Sequence, residues 1–291
     1  MTTFSAEVRV LVCANCGASL PPVGPQGGTV ACSYCRQSSY VGVRDDGSLG
    51  SGAPVDEAQR MASLWQQVDV GFMVHPEVTR LGEQGVLTEQ NVDATRQQWE
   101  HIRAIAADPV QAPTVGDDLM WLTTLLAGYY AGQGDRAKVR AYWESTLEAS
   151  HGPRQRQFSR GSLCRLSVND GDLAAAMQWL RPCDPQASDL CSDSTYRLSY
   201  SFVATVQGQF DNVLQALGQT AEELPWFFSL RLLATAVRAN AIERRGDVAG
   251  AVDQLRKLAA AAPEAASVVP AICKANPALD LCPQSVPLAY G

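Results

Sequence analysis

Histidine is nearly absent from this chain. Its 291 residues hold three, His75, His101 and His151, far apart in sequence. None belongs to an H-E-x-x-H pattern. His75 and His101 read as surface or packing residues, and His151 falls in a turn before Gly152-Pro153. Three scattered histidines give no basis for pairing a cysteine or serine nucleophile with its base. There is no G-x-S-x-G. The glycine-rich stretch Gly24 to Gly28 lacks the Lys-Ser/Thr ending of a phosphate loop and any helix after it. Carboxylates such as Glu222 and Glu223 read as surface. The chain is therefore read as not an enzyme.

Two further absences narrow the class. No segment is strongly basic. Net charge is −7, and residues 1–50 carry three basic and three acidic groups, residues 51–112 four and nine, residues 113–291 sixteen and eighteen. Bulk attraction to nucleic acid or to an anionic membrane is not expected. There is also no long uninterrupted apolar run. The longest candidate, Trp226 to Ile242, is broken by Arg231 and Arg238, which argues against a spanning helix. The first nine residues lack a basic n-region followed by an apolar stretch. The expectation is a soluble cytoplasmic protein.

Cysteine, by contrast, is present in a pattern. Cys13 and Cys16 form one C-x-x-C knuckle, Cys32 and Cys35 a second, with fifteen residues between them. That spacing suits a four-cysteine zinc site. Two intervening residues let both thiolates of a knuckle point at one ion, and Gly17 can take the positive φ that closes such a turn. Val8–Val12, Gly28–Ala31 and Ser38–Val41 read as short strands around the knuckles. A segment this small cannot bury enough core to fold alone. A structural zinc ion would supply roughly 10–16 kcal/mol of apparent binding energy as folding energy. Rubredoxin-like iron is the competing reading. Residues 1–41 resemble the zinc-ribbon family, which implies structural Zn2+ held by Cys13, Cys16, Cys32 and Cys35.

Residues 42–54, rich in glycine and serine, read as a flexible linker. Residues 55–112 read as a helical cap region with two helices. In the first, Met61, Leu64, Trp65 and Val68 form the apolar face. In the second, Thr88 is the candidate N-cap, Val92, Thr95, Trp99, Ile102 and Ala106 form the stripe, and Asp108-Pro109 is the stop.

The strongest organising signal lies in residues 113–265. Gly134-Asp135, Gly171-Asp172, Gly208-Gln209 and Gly246-Asp247 recur with glycines 37, 37 and 38 residues apart. A fixed period of this size marks stacked helix–turn–helix units. Seven residues before each glycine stand Ala127, Cys164, Ser201 and Ala239, all small. Five after it stand Val139, Ala176, Val213 and Ala251, and nine after it the large apolar Trp143, Leu180, Leu217 and Leu255. The pattern resembles the tetratricopeptide repeat (TPR), with Leu126-Ala127, Tyr130, Val139 and Trp143 as the best copy. It departs from the family where the opening tryptophan is replaced by Thr123, Arg160, Arg197 and Thr235, and in its longer period. The resemblance implies antiparallel helix pairs in a right-handed superhelix with a groove for a protein segment.

The expected fold class is mainly α: a TPR-like α-solenoid with a small β zinc ribbon at the N-terminus. Residues 266–291 read as a C-terminal cap and tail. Arg136, Arg140, Arg156, Arg160 and Arg165 are the candidate partner-binding residues, suited to an acidic segment; a solvated face is the competing reading. Cys164 reads as a packing residue. Cys183 with Cys191 and Cys273 with Cys282 flank proline-containing loops and read as thiols rather than disulfides. The functional expectation is a non-enzymatic protein–protein interaction scaffold, with a nucleic-acid-associated regulator or a subunit of a larger assembly as the alternatives.

Overall fold

The computed structural model describes residues 28–31, 38–43, 49–50, 57–68, 71–82 and 87–290. The chain divides into two compact units, one of residues 1–64 with 186–188, the other of residues 65–185 with 189–291. In the first unit β1 (Gly28–Ala31) pairs antiparallel with β2 (Ser38–Val43), from Gly28 opposite Val41 to Ala31 opposite Ser38. β2 then pairs with β3 (Leu49–Gly50) through Gly42 opposite Gly50 and Val43 opposite Leu49. Part of the expected linker is thus strand. α1 (Glu57–Trp65) follows and is shorter than the sequence pattern implied; Leu64 is buried but Trp65 is exposed. The predicted strand over residues 8–12 lies outside the described residues.

The second unit is helical. After α2 (Pro76–Thr79) and a 3-10 turn comes α3 (Val92–Ala106). Its whole predicted stripe, from Val92 to Ala106, is buried. Its start differs from expectation. Thr88 does not cap it; instead Asn91 Oδ1 accepts from the Thr88 backbone N–H at 2.7 Å, and the helix begins one residue later. Four helix pairs follow: α4 (Ala112–Gly132) with α5 (Arg136–Ala149), α6 (Pro153–Asn169) with α7 (Leu173–Leu180), α8 (Leu190–Val206) with α9 (Phe210–Leu217), and α10 (Arg231–Arg244) with α11 (Val248–Ala261). α12 (Ala265–Ala275) and α13 (Ser285–Tyr290) complete the unit.

The four glycines close four copies of one turn. Their φ angles are +74°, +76°, +71° and +96° at Gly134, Gly171, Gly208 and Gly246. In each copy the glycine N–H reaches back to the carbonyl three residues earlier, and the next residue's N–H reaches back five. Gly171 to Val168 at 3.0 Å and Asp172 to Ser167 at 2.9 Å are one instance. This pair of hydrogen bonds satisfies carbonyls that a helix end would otherwise orphan. The residue after the glycine then caps the next helix. Asp135, Asp172 and Asp247 accept from the backbone N–H three residues on, at 3.1, 2.9 and 2.8 Å. Gln209 holds the same backbone shape and makes no such cap.

Beyond the turns, offset predicts packing. The small residues seven before each glycine and the apolar ones five and nine after it are all buried. Small side chains let paired helices approach, and the large ones fill the space between them. The first helices of neighbouring pairs also touch, α4 with α6, α6 with α8 and α8 with α10. Thr123, which stands where the TPR pattern has tryptophan, is buried; it accepts from Trp99 Nε1 at 2.8 Å and shares a hydrogen bond with Thr146 at 2.7 Å. α3 thereby locks onto the first pair. Among the described residues no helix is long and apolar enough to cross a membrane.

Candidate functional site

The four cysteines predicted to hold metal, Cys13, Cys16, Cys32 and Cys35, lie outside the described residues. Among the described residues no group of three His, Cys, Asp or Glu is placed to hold an ion. The remaining cysteines are free thiols. Burial pushes Cys164 and Cys191 up to about 12 and Cys183 and Cys273 up to about 11, and raises Cys282 as well. All five are protonated near neutral pH, so they are poor nucleophiles.

The five arginines of the predicted basic surface send their hydrogen bonds to different places. Arg136 and Arg140 converge on Asp170 across the turn, at 3.1 and 2.8 Å. Their charge is offset there. Arg165 points inward and donates to Ser199 Oγ and Ser162 Oγ, both at 3.0 Å. Burial lowers it to about 10, so it remains a cation. Arg156 and Arg160 are neighbours. They donate to carbonyl oxygens, Ser150 O at 3.0 Å and Pro182 O at 3.4 Å, and no carboxylate pairs with either among the described residues. Arg160 is lowered by burial and by the adjacent Arg156 charge.

The first helices of the pairs carry segments of the chain itself. Residues 71–75 lie across α4 and α6. Phe72 meets Phe158 edge-on at 5.5 Å, Phe227 at 5.0 Å and Trp121 at 6.3 Å. The Met73 and His75 backbone N–H groups donate to Asp117 and Asp118, both at 2.8 Å, and His75 Nδ1 sits 2.5 Å from Asp118 Oδ2. Asp118 is 1% exposed, so it is a buried acceptor for the segment. That contact raises the His75 imidazole above its ordinary value. At the other end residues 276–285 meet α6, α8 and α10. Asn169 Nδ2 donates to Asn276 Oδ1 at 2.7 Å, the Cys282 N–H to Asn240 Oδ1 at 2.9 Å, and the Ser285 N–H to the buried Glu243 at 2.8 Å. Over these stretches the occupant of the helix surface is this chain.

A cavity lies open on the described surface of the fourth pair. It has a volume of about 710 Å³ and lies between α9, α10, α11 and the loop after α9. Leu214, Ile242 and Leu258 give it an apolar floor. The loop is pinned by Gln254, whose Nε2 donates to Gln219 O at 2.6 Å, and by Glu223, which accepts the Gln219 N–H at 2.5 Å. Gly218 makes the bend at φ +79°; a Cβ there would meet Glu223 and Thr220 O at 3.1 and 3.2 Å.

Arg238 lines this cavity and is only 1% exposed. Its Nε donates to Gln254 Oε1 at 2.9 Å, Nη1 to Leu217 O at 3.2 Å and Nη2 to Thr235 Oγ1 at 3.2 Å. All three acceptors are neutral. Leu217 O lies at the C-terminal end of α9, where the helix dipole offsets part of the charge. Burial lowers Arg238 to about 10 against the opposing pull of Glu222 and Glu223. It therefore stays charged near neutral pH. Sequence reasoning missed this site. The signal available was Arg238, one of two arginines inside the apolar run of residues 226–242, which registered only as an interruption. No family model, curated protein or solved structure matches the chain.

Proposed function

We propose that the protein is a non-enzymatic interaction scaffold: a TPR-like α-solenoid that holds an acidic segment of a protein partner, joined to an N-terminal zinc ribbon. The observation that carries this reading is the fourfold turn. Four helix pairs closed by one turn geometry, with first helices in contact from pair to pair, support a repeat surface suited to binding a protein segment. On that surface Arg156 and Arg160 are the recognition pair. Two neighbouring guanidinium groups bound only to main-chain oxygens repel one another, and a carboxylate-rich segment relieves that repulsion. Arg136 and Arg140, already bridged by Asp170, contribute less, and Arg165 positions α8.

For the ribbon, the support is the register of β1 and β2. Their pairing ends at Ala31 opposite Ser38, so Cys32 and Cys35 fall in the sequence between two antiparallel strands. That is where a ribbon needs one pair of its thiolates. Cys13, Cys16, Cys32 and Cys35 would hold the ion, whose role is to fold the segment. The experiment is a nuclease-treated pull-down from the native host with the full chain and with Arg156→Glu/Arg160→Glu. The expected result is one stoichiometric protein lost in the double variant. Retention of that protein by the variant refutes the recognition pair, and capture of nucleic acid alone refutes the scaffold.

A further inference from the structure

We propose that the cavity between α9, α10 and α11 is a binding site for a small monocarboxylate with an apolar tail, its carboxylate received by Arg238. The cavity stands apart from the scaffold reading, because neither Arg156 nor Arg160 lines it.

A guanidinium has five N–H donors. Three of those on Arg238 have acceptors, one per nitrogen. That leaves one N–H on each terminal nitrogen without a partner among the described residues. A pair of donors in a planar fork is what the two oxygens of a carboxylate accept. Leaving a buried cation short of an anion costs free energy unless something else compensates it. The acidic residues close by do not supply that anion by direct contact. Glu223 is turned to the Gln219 N–H, Asp247 to the Gly250 N–H, and Asp253 to Lys257 Nζ at 2.7 Å.

Charge and shape select the ligand class. The lining holds four cations, Arg231, Arg238, Arg245 and Lys257, against three anions, Glu222, Asp247 and Asp253. Two of those cations are already paired, Lys257 with Asp253 and Arg245 with Asp211, which leaves Arg231 and Arg238 without an ion pair among the described residues. The floor of Leu214, Ile242 and Leu258 offers an apolar tail a place out of water. A volume of about 710 Å³ falls inside the range of small-molecule sites. The arginine is also preorganised: Gln254 holds both its Nε and the overlying loop, so binding need not order either.

The test titrates butyrate, octanoate and phenylacetate into the full chain by isothermal calorimetry, with octanol and inorganic phosphate as controls. The expected result is saturable one-to-one binding of octanoate with Kd of about 1 mM or tighter, and octanol weaker by about tenfold or more. Arg238→Gln should weaken octanoate by a similar factor. Because that variant removes a buried staple, Ala221→Trp provides the second arm. It fills the cavity from the loop, leaves Arg238 in place, and should abolish octanoate binding at unchanged helix content. The proposal is overturned if none of the three carboxylates binds, if octanol binds as well as octanoate, if phosphate binds and the carboxylates do not, or if folded Ala221→Trp binds octanoate as the parent does.

Discussion

Replacing Gln209 by Asp should stabilise the helical unit by about 1 kcal/mol, the usual worth of a helix N-cap. Gln209 sits at φ −90°, ψ 60°, close to Asp135 at −83°, 73° and Asp172 at −93°, 80°. The backbone is thus already shaped for a cap that glutamine, one methylene too long, does not make. Its amide oxygen instead accepts from Asn212 Nδ2 at 3.0 Å, an exposed contact worth little. A carboxylate at 209 would accept from the Asn212 backbone N–H, as Asp172 accepts from Ala175. It would also lie at the positive end of α9, with the Arg245 guanidinium, which pairs with Asp211 at 3.1 Å, nearby. Urea melts followed by circular dichroism give the readout. The midpoint should rise at unchanged m, and the melting temperature by about 2–4 °C for a unit of this size. Asp172→Gln runs the exchange backwards and should lose about as much. A Gln209→Asp chain no more stable than its parent, or an Asp172→Gln chain just as stable, would refute the equivalence of the four turns.

Other expectations follow from the same geometry. Gly171→Ala should cost about 1–2 kcal/mol through the left-handed backbone alone, because a Cβ there meets nothing within 4 Å; a neutral urea midpoint would contradict the turn. Ala239→Leu, at a fully buried small position, should destabilise by about 1–3 kcal/mol through overpacking, and an unchanged melt would contradict the helix alignment. The His75–Asp118 contact raises the histidine pKa, so its stabilisation is complete below the ordinary value of 6.5 and is lost as pH rises through the raised value. Hydrogen exchange of residues 71–75 should therefore quicken over that window in the parent and show no such step in His75→Gln. Asp135 is shifted the other way, first by the Lys138 backbone N–H, so its contribution is present above 3.8 and fades as pH falls through the lowered value. An Asp135→Asn chain should lack that acid-side component in a stability–pH profile. Finally, on the proposed zinc-ribbon reading, chelation of metal, or Cys13→Ser with Cys16→Ser, should unfold residues 1–41 and leave helix content nearly intact; a large helix loss would contradict that reading's independent N-terminal segment.

The helical half of the molecule was legible wherever its determinants are close in sequence. A turn whose bonds span three to five residues leaves its mark on neighbouring letters, so glycine at a period of 37 or 38, followed by Asp in three of four copies, announced both a helix end and the next helix start. The stripe of α3 was legible for the same reason: one face of one helix needs only its own spacing. Its start was not, because the side chain of Asn91, the residue before the helix, turns back to accept from the Thr88 N–H rather than capping the helix. The basic surface was partly legible. The i, i+4 spacing of Arg136 and Arg140 put them on one face, but Asp170, thirty residues on, offsets them.

What the sequence by itself determined is the local grammar: helices, their ends, their small and large packing positions, and two cysteine knuckles at metal-binding spacing. What only the tertiary structure decided is which surfaces remain open. Asn276 bonds to Asn169 across 107 positions, Cys282 to Asn240 across 42, and Phe72 finds Phe158 and Phe227. No period encodes those meetings, because they depend on where stacked pairs bring distant segments in space. Arg238 is the clearest case. In the chain it looks like a charge misplaced in an apolar run. In the fold Leu217, Thr235 and Gln254 converge on it from three helices beside a cavity, and two of its donors have no partner among the described residues. Burial gives a charge its consequence, and burial is a property of the assembled helices rather than of any one of them.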